Sequence, residues 1–209
     1  MEKKRFKITV IVYAVCILLL VVFFTVNGTV SRFATSRSET VVAEDKDFDA
    51  WFEWTTVDGS NTALPVLNTN GVYRLNNIDD YDNLKLDIKY RGEGRSYLRF
   101  KITESWQHKD GDHDVITPHS LSIYTLGENF YDNRSDDGFI YYALPLSGED
   151  NVNTLTLNAI TQCVGGEDAP DLLDNADAST FVDISVELEA VQWNRAKEMW
   201  GISKLPWEV

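Results

Sequence analysis

Leu84, Leu86, Ile88 and Tyr90 alternate with Lys85, Asp87 and Lys89, and near the other end of the chain Val182, Ile184, Val186 and Leu188 alternate with Asp183, Ser185, Glu187 and Glu189. A period of two places each apolar set on one face of an extended strand and each polar set on the other. Strands buried on both faces, as in parallel α/β sheets, would be apolar throughout, so this pattern points to antiparallel sheets with one wet face. Tyr97-Leu98-Arg99-Phe100-Lys101-Ile102-Thr103-Glu104 repeats the pattern just after Arg91-Gly92-Glu93-Gly94, and two such runs around a Gly-containing loop predict an antiparallel hairpin.

The same alternation predicts strands at Phe48–Thr55, Ser120–Leu126, Gly138–Leu144, Val152–Ile160 and Val182–Val191, with Asp58-Gly59 and Asn70-Gly71 as tight turns. No stretch between Asp45 and Thr180 has a helical period. Trp193–Gly201 is the helix candidate, because Ala196, Lys197, Glu198 and Met199 are good helix formers and Gly201 is a natural stop. The expected fold is mainly β: an antiparallel β-sandwich, jelly-roll or immunoglobulin-like, with a short C-terminal helix.

A different kind of segment precedes this domain. Ile8 to Val26 carries no charge over 19 residues, and as a helix it would span about 28 Å, close to the hydrocarbon thickness of a bilayer. Lys3, Lys4, Arg5 and Lys7 stand before it against Glu2 alone. The positive-inside rule then keeps the N-terminus in the cytoplasm and exports the chain beyond Val26. Val26-Asn27-Gly28 also offers small or aliphatic residues for cleavage after Gly28, which would release the domain as a secreted protein. The expected organisation is a basic tip and transmembrane or signal helix over 1–28, an extended arm or stalk over 29–46, and the extracellular domain over 47–209.

The formal net charge is −14, and residues 1–28 hold four of the 19 basic and one of the 33 acidic residues. The exported part is therefore more acidic still, at −17. That charge excludes a nucleic-acid binder, which needs a basic face. Cys16 lies in the apolar segment and Cys163 in the exported part, so they cannot pair within one chain, and Cys163 reads as a structural thiol.

Ser31-Arg32-Phe33-Ala34-Thr35-Ser36 after the hydrophobic segment, Asp137-Gly138-Phe139-Ile140-Tyr141-Tyr142 in the middle, and the passage from Val182 to Gln192 before a short helix closing at Trp200-Gly201 together carry a resemblance. The chain resembles the TasA/camelysin-like exported surface proteins of Gram-positive bacteria, substrates of SipW-type signal peptidases. It departs from their pattern at Trp193 and in the length of its first hydrophobic segment. The resemblance implies a jelly-roll domain on the cell surface, sometimes assembled into fibres through strand exchange. It also raises a metallopeptidase of the camelysin type.

That chemistry finds little footing in the residues. The His-Glu-x-x-His helix of zinc peptidases is absent. His108, His113 and His119 share one polar stretch with Asp110, Asp112 and Asp114, a weak candidate site for zinc, calcium or another divalent cation. Asp110-x-Asp112-x-Asp114 copies the first ligands of a calcium loop, but Val115 and Leu121 stand where that loop needs Gly and an acidic residue. Asp132-Asn133-Arg134-Ser135-Asp136-Asp137-Gly138 reads as turn chemistry before cation binding. No Gly-x-Ser-x-Gly elbow and no phosphate-binding glycine loop occurs, and Leu205-Pro206-Trp207-Glu208-Val209 lacks the rest of a sortase signal. The expected function is non-enzymatic: a structural or adhesive surface protein, held in the membrane by residues 8–26 and self-associating through the arm 30–43. A carbohydrate-binding wall module using exposed members of the six tryptophans is the other alternative.

Overall fold

The computed structural model describes residues 48–62, 64–69, 71–76, 78–117, 122–147, 153–164 and 180–208. The segment 8–26, the Gly28 cleavage point and the arm 30–43 lie outside them. Among the described residues no helix is long and apolar enough to cross a membrane.

The strands are β1 (Phe48–Thr56), β2 (Val66–Leu67), β3 (Tyr73–Leu75), β4 (Leu84–Gly92), β5 (Ser96–Asp110), β6 (His113–Ile116), β7 (Ile123–Leu126), β8 (Phe130–Asn133), β9 (Phe139–Leu146), β10 (Leu155–Val164) and β11 (Thr180–Gln192). A 3₁₀ turn spans Ile78–Asn83, and the helix α1 spans Ala196–Trp200. One sheet has four strands in the order β1-β4-β10-β7. The other has seven, in the order β2-β3-β11-β5-β9-β8, with β6 paired to the far end of β5. Every pairing is antiparallel.

The period-two pattern holds where it was clearest. Leu84, Leu86, Ile88 and Tyr90 of β4, Leu98 and Phe100 of β5, and Val182, Ile184, Val186 and Leu188 of β11 all enter one hydrophobic core. That core draws on both sheets, so the body is sandwich-like. The wet face of β11 is held by cross-strand ion pairs, Asp183 with Arg74 on β3 and Glu189 with Arg99 on β5, both at 2.7 Å.

The expected hairpin between the runs 84–90 and 97–104 does not form. β4 pairs with β1 and β10, whereas β5 pairs with β11, β9 and β6 in the other sheet. The link across 93–95 crosses between sheets, and the two apolar rows face each other through the core instead of sharing one face. Alternation says which side of a strand is dry; it does not say which sheet the strand joins. The chain changes sheet between all other consecutive strands, even across the three-residue links 93–95 and 127–129, and the hairpins β2–β3, β5–β6 and β8–β9 all lie in the larger sheet.

The C-terminal helix is shorter than the expected 193–201. Turn residues occupy 193–195, α1 starts at Ala196, and Gly201 ends it in the left-handed conformation at φ 66°, its N–H turned to the Glu198 and Lys197 carbonyls. α1 packs on the outer face of the larger sheet, where Tyr141, Ala196, Trp200 and Leu205 form a second buried cluster flanked by Tyr97, Phe139, Val191, Ile202 and Trp207.

Candidate functional site

The His/Asp stretch becomes the β5–β6 hairpin. Asp110 pairs with His113, Lys109 with Asp114 and His108 with Val115, so Gly111 and Asp112 form a two-residue turn with Gly111 at φ 62°. Directly paired residues share a face and successive ones alternate. His108, Asp110 and His113 therefore lie on one face, and Asp114 on the other. There Asp114 forms an ion pair with Lys109, which holds its carboxyl below the usual range. His108 Nδ1 is engaged by Thr117 Oγ1 at 2.9 Å, Asp112 stands in the exposed turn, and His119 lies outside the described residues. Among the described residues no three His, Cys, Asp or Glu side chains are gathered for a metal ion.

The second acidic stretch forms the β8–β9 connection, and its charges are spent locally. Asp132 makes a two-point contact with Arg134, Nε to Oδ1 at 2.9 Å and Nη2 to Oδ2 at 2.8 Å, which lowers the Asp132 pKa. Asp137 accepts from the Phe139 N–H at 2.9 Å and from the Tyr141 hydroxyl at 2.5 Å.

The densest polar site was not singled out from sequence. Glu104 sits on the core-facing row of β5, after Leu98, Phe100 and Ile102 and before Trp106. Its Oε1 accepts from the hydroxyls of Tyr81 at 2.5 Å and Tyr124 at 2.9 Å. Its Oε2 accepts from Ser122 Oγ at 2.5 Å and Trp106 Nε1 at 3.1 Å. Tyr81 comes from the 3₁₀ turn and packs edge-on against Trp106, with ring centroids 5.1 Å apart. Tyr124 is on β7, the last strand of the smaller sheet, and Ser122 lies just before it. One carboxyl group thus ties both sheets and the 3₁₀ turn together.

Burial, reinforced by Glu104, pushes both tyrosine pKa values well up. Cys163 lies opposite Tyr124 in the β10–β7 pairing, free and 1% exposed. Burial first, then Glu104 and Asp82, raises its thiol pKa, so it stays a protonated thiol and not a nucleophile. Arg134 closes the outside, its guanidinium 4.5 Å from the Tyr124 ring and its Nη1 donating to the Ser122 carbonyl at 2.8 Å. With four donors from the described residues on its two oxygens, Glu104 is arranged to hold structure together. The sequence did carry its signal, a charged residue at an inward position of an alternating run.

A second constellation surrounds Arg99 on the outer face. Its guanidinium lies 3.9 Å from the Phe139 ring and 4.8 Å from that of Trp200. It donates through Nε to Glu189 at 2.7 Å and through Nη1 to the Tyr141 hydroxyl at 3.1 Å. This aromatic cage fastens the C-terminal helix to β5, β9 and β11. The tryptophans divide accordingly: Trp54, Trp106 and Trp200 are buried, while Trp193 is 47% exposed. On the larger sheet, Glu104 also borders a shallow concavity of about 240 Å³ that is otherwise lined by Val72, Thr103, Ser105, Gln107, Asp183 and Ser185. No family model, curated protein or solved structure matches this chain.

Proposed function

We propose that the chain is a cell-surface protein with a structural or adhesive role, a fibre or matrix subunit, and not an enzyme. Residues 8–26 hold it in the membrane as a single pass with the N-terminus in the cytoplasm and the domain outside; cleavage after Gly28 would release it. Support for export comes from the uncharged 19-residue segment behind a basic tip. The motifs shared with TasA/camelysin-like proteins support the class, and the two-sheet body is read as their jelly-roll or its immunoglobulin-like relative.

The observation that carries the structural role is β1. It runs for nine residues at the end of the smaller sheet, pairs in unbroken register with β4, and has no other partner among the described residues. A strand of that length with open backbone groups on one side is a template for an added strand. It is also where the chain arrives from the arm, whose Val30, Phe33, Thr35, Thr40, Val41 and Val42 are strand formers. In this reading, residues 30–43 of one copy extend the sheet of another.

Fragments 29–209 and 45–209 test it, since the residues of both hydrophobic clusters lie between Phe48 and Trp207 and are present in each. Light scattering should find concentration-dependent association for the longer fragment and a monomer for the shorter. Monomers for both, at high concentration, would remove the arm as an assembly element.

A further inference from the structure

We propose that the end of the domain carrying Phe48 rests on a lipid surface through Trp193 and Arg95; this deepens, and rests on, the reading of residues 8–26 as a membrane segment. Four chain passages meet at that end. Phe48 pairs with Gly92, Ser96 with both Gln192 and Leu146, and Tyr90 with Leu155. Trp193 comes directly after β11, its backbone N–H bonded to the Arg95 carbonyl at 3.0 Å. The Arg95 guanidinium stands 4.9 Å from the Trp193 ring, and no carboxylate of the described residues pairs with it.

Exposure is what sets the pair apart. Trp193 is 47% exposed, and Leu144 and Leu155, at the same end by register, are 47% and 41% exposed. An indole with an apolar body and a polar N–H settles at the headgroup level of a bilayer, and a guanidinium stacked on it keeps donors for lipid phosphate. The point of entry favours this occupant. The chain enters the first strand at Phe48, so in this reading residues 27–47 join the membrane segment to the domain at the end that carries Trp193 and Arg95.

Charge decides the mode. The exported part carries −17, Arg91 is already paired with Asp49, and Glu93 is exposed in the same loop. Attraction to anionic lipid therefore does not drive the contact; burial of Trp193, with Leu144 and Leu155 at the same end, does. Binding should not strengthen when anionic lipid is added.

The test uses the full chain reconstituted in phosphatidylcholine vesicles, with and without phosphatidylglycerol, and lipids brominated near the headgroup to quench tryptophan fluorescence. Quenching is expected in both lipid mixtures, and Trp193→Phe should remove that component while Ile116→Ser, at the opposite end on β6, leaves it. Retention in the vesicles after alkaline washing with unchanged quenching in Trp193→Phe overturns the proposal and leaves the membrane segment standing. Loss of the full chain on washing sinks the membrane segment instead. Vesicle flotation then decides the surface contact: binding weakened roughly tenfold by Trp193→Ala sustains it, and no flotation of the parent chain overturns it. Equal loss on Ile116→Ser would mean general stickiness and would also overturn it.

Discussion

Gly127 and the Asn158 carbonyl are packed so closely that a Cβ on residue 127 would lie well inside van der Waals contact with that oxygen. The contact sits where β10 is irregular. Its register with β4 shifts between Asn158 and Ile160, and the Gly127 N–H donates to the Ala159 carbonyl at 3.2 Å. The bulge pushes the β10 backbone toward the β7–β8 turn, and only a residue without a side chain fits beneath it.

Gly127→Ala is therefore expected to destabilise the domain by about 3 kcal/mol, because the obstacle is backbone and not a side chain that can swing away. Urea unfolding of the two proteins measures the difference. Gly59→Ala is the comparison: a Cβ there meets nothing within 4 Å, so only its positive φ of 71° opposes the change. A loss at residue 127 no greater than at residue 59 would show that β10 relaxes freely.

Glu104→Gln tests the four-donor site. The amide NH₂ would replace one carboxyl oxygen and face two donors that it cannot accept, so the loss is expected at about 3 kcal/mol. Tyr81→Phe and Tyr124→Phe each remove one donor and leave the carboxyl its others, at about 1 kcal/mol apiece. Denaturant midpoints measure all three. If the Gln variant costs no more than either Phe variant, the site is not acting as a junction between the sheets.

How much of this was legible in the sequence can be read on β5. Leu98 and Phe100 announced their faces correctly, and by the same rule Glu104 had to point inward, which marks it as a partner-seeking group in a dry row. Its donors could not be named, because Tyr81, Ser122 and Tyr124 arrive from two other elements through long-range packing. The 3₁₀ turn at Ile78–Asn83 escaped notice for a related reason: Asp79, Asp80 and Asp82 give it no apolar period, and Tyr81 is anchored by Glu104. The hairpin expected across 93–95 failed because alternation is blind to which sheet a strand enters. On β11 nothing competes with the period, and face and extent were both readable.

Trp200→Ala should detach the C-terminal helix. Trp200 fills the cluster over Tyr141, with ring centroids 5.4 Å apart, and its removal is expected to cost about 3 kcal/mol. Trp200→Phe should cost distinctly less, since the buried indole N–H has no hydrogen-bond partner among the described residues and the ring contact is what matters. Limited proteolysis should cut at Lys197 and Lys204 in the Ala variant well before the parent. Equal protection of both variants would show that Arg99 and Leu205 hold the helix unaided.

Stability should fall at both extremes of pH, with opposite signs of linkage. Asp132 and Asp114 are held below the usual carboxylate range by Arg134 and Lys109. A carboxyl with a depressed folded pKa adds stability above its unfolded pKa, and that stability is lost as pH falls through the folded value. Acid weakening should therefore begin below about pH 4. It should be shallow, because both aspartates are largely open to solvent.

The alkaline limb should be steeper. Tyr141 is pushed up to about 12 by burial and by Asp137, and burial together with Glu104 also holds Tyr81 and Tyr124 well above the ordinary tyrosine value. A raised folded pKa means the stabilisation is complete below the unfolded value near 10 and is lost as pH rises through the folded one. Above pH 10 the unfolded chain can shed protons that these three tyrosines retain, so unfolding should draw in hydroxide. Ultraviolet titration should show a class of tyrosines that ionises only together with loss of the near-ultraviolet circular dichroism. In Tyr81→Phe that class should shrink by one. Smooth titration near pH 10 of all eight tyrosines of the folded fragment 45–209 would mean that the hydroxyls on Glu104 and Asp137 are open to water.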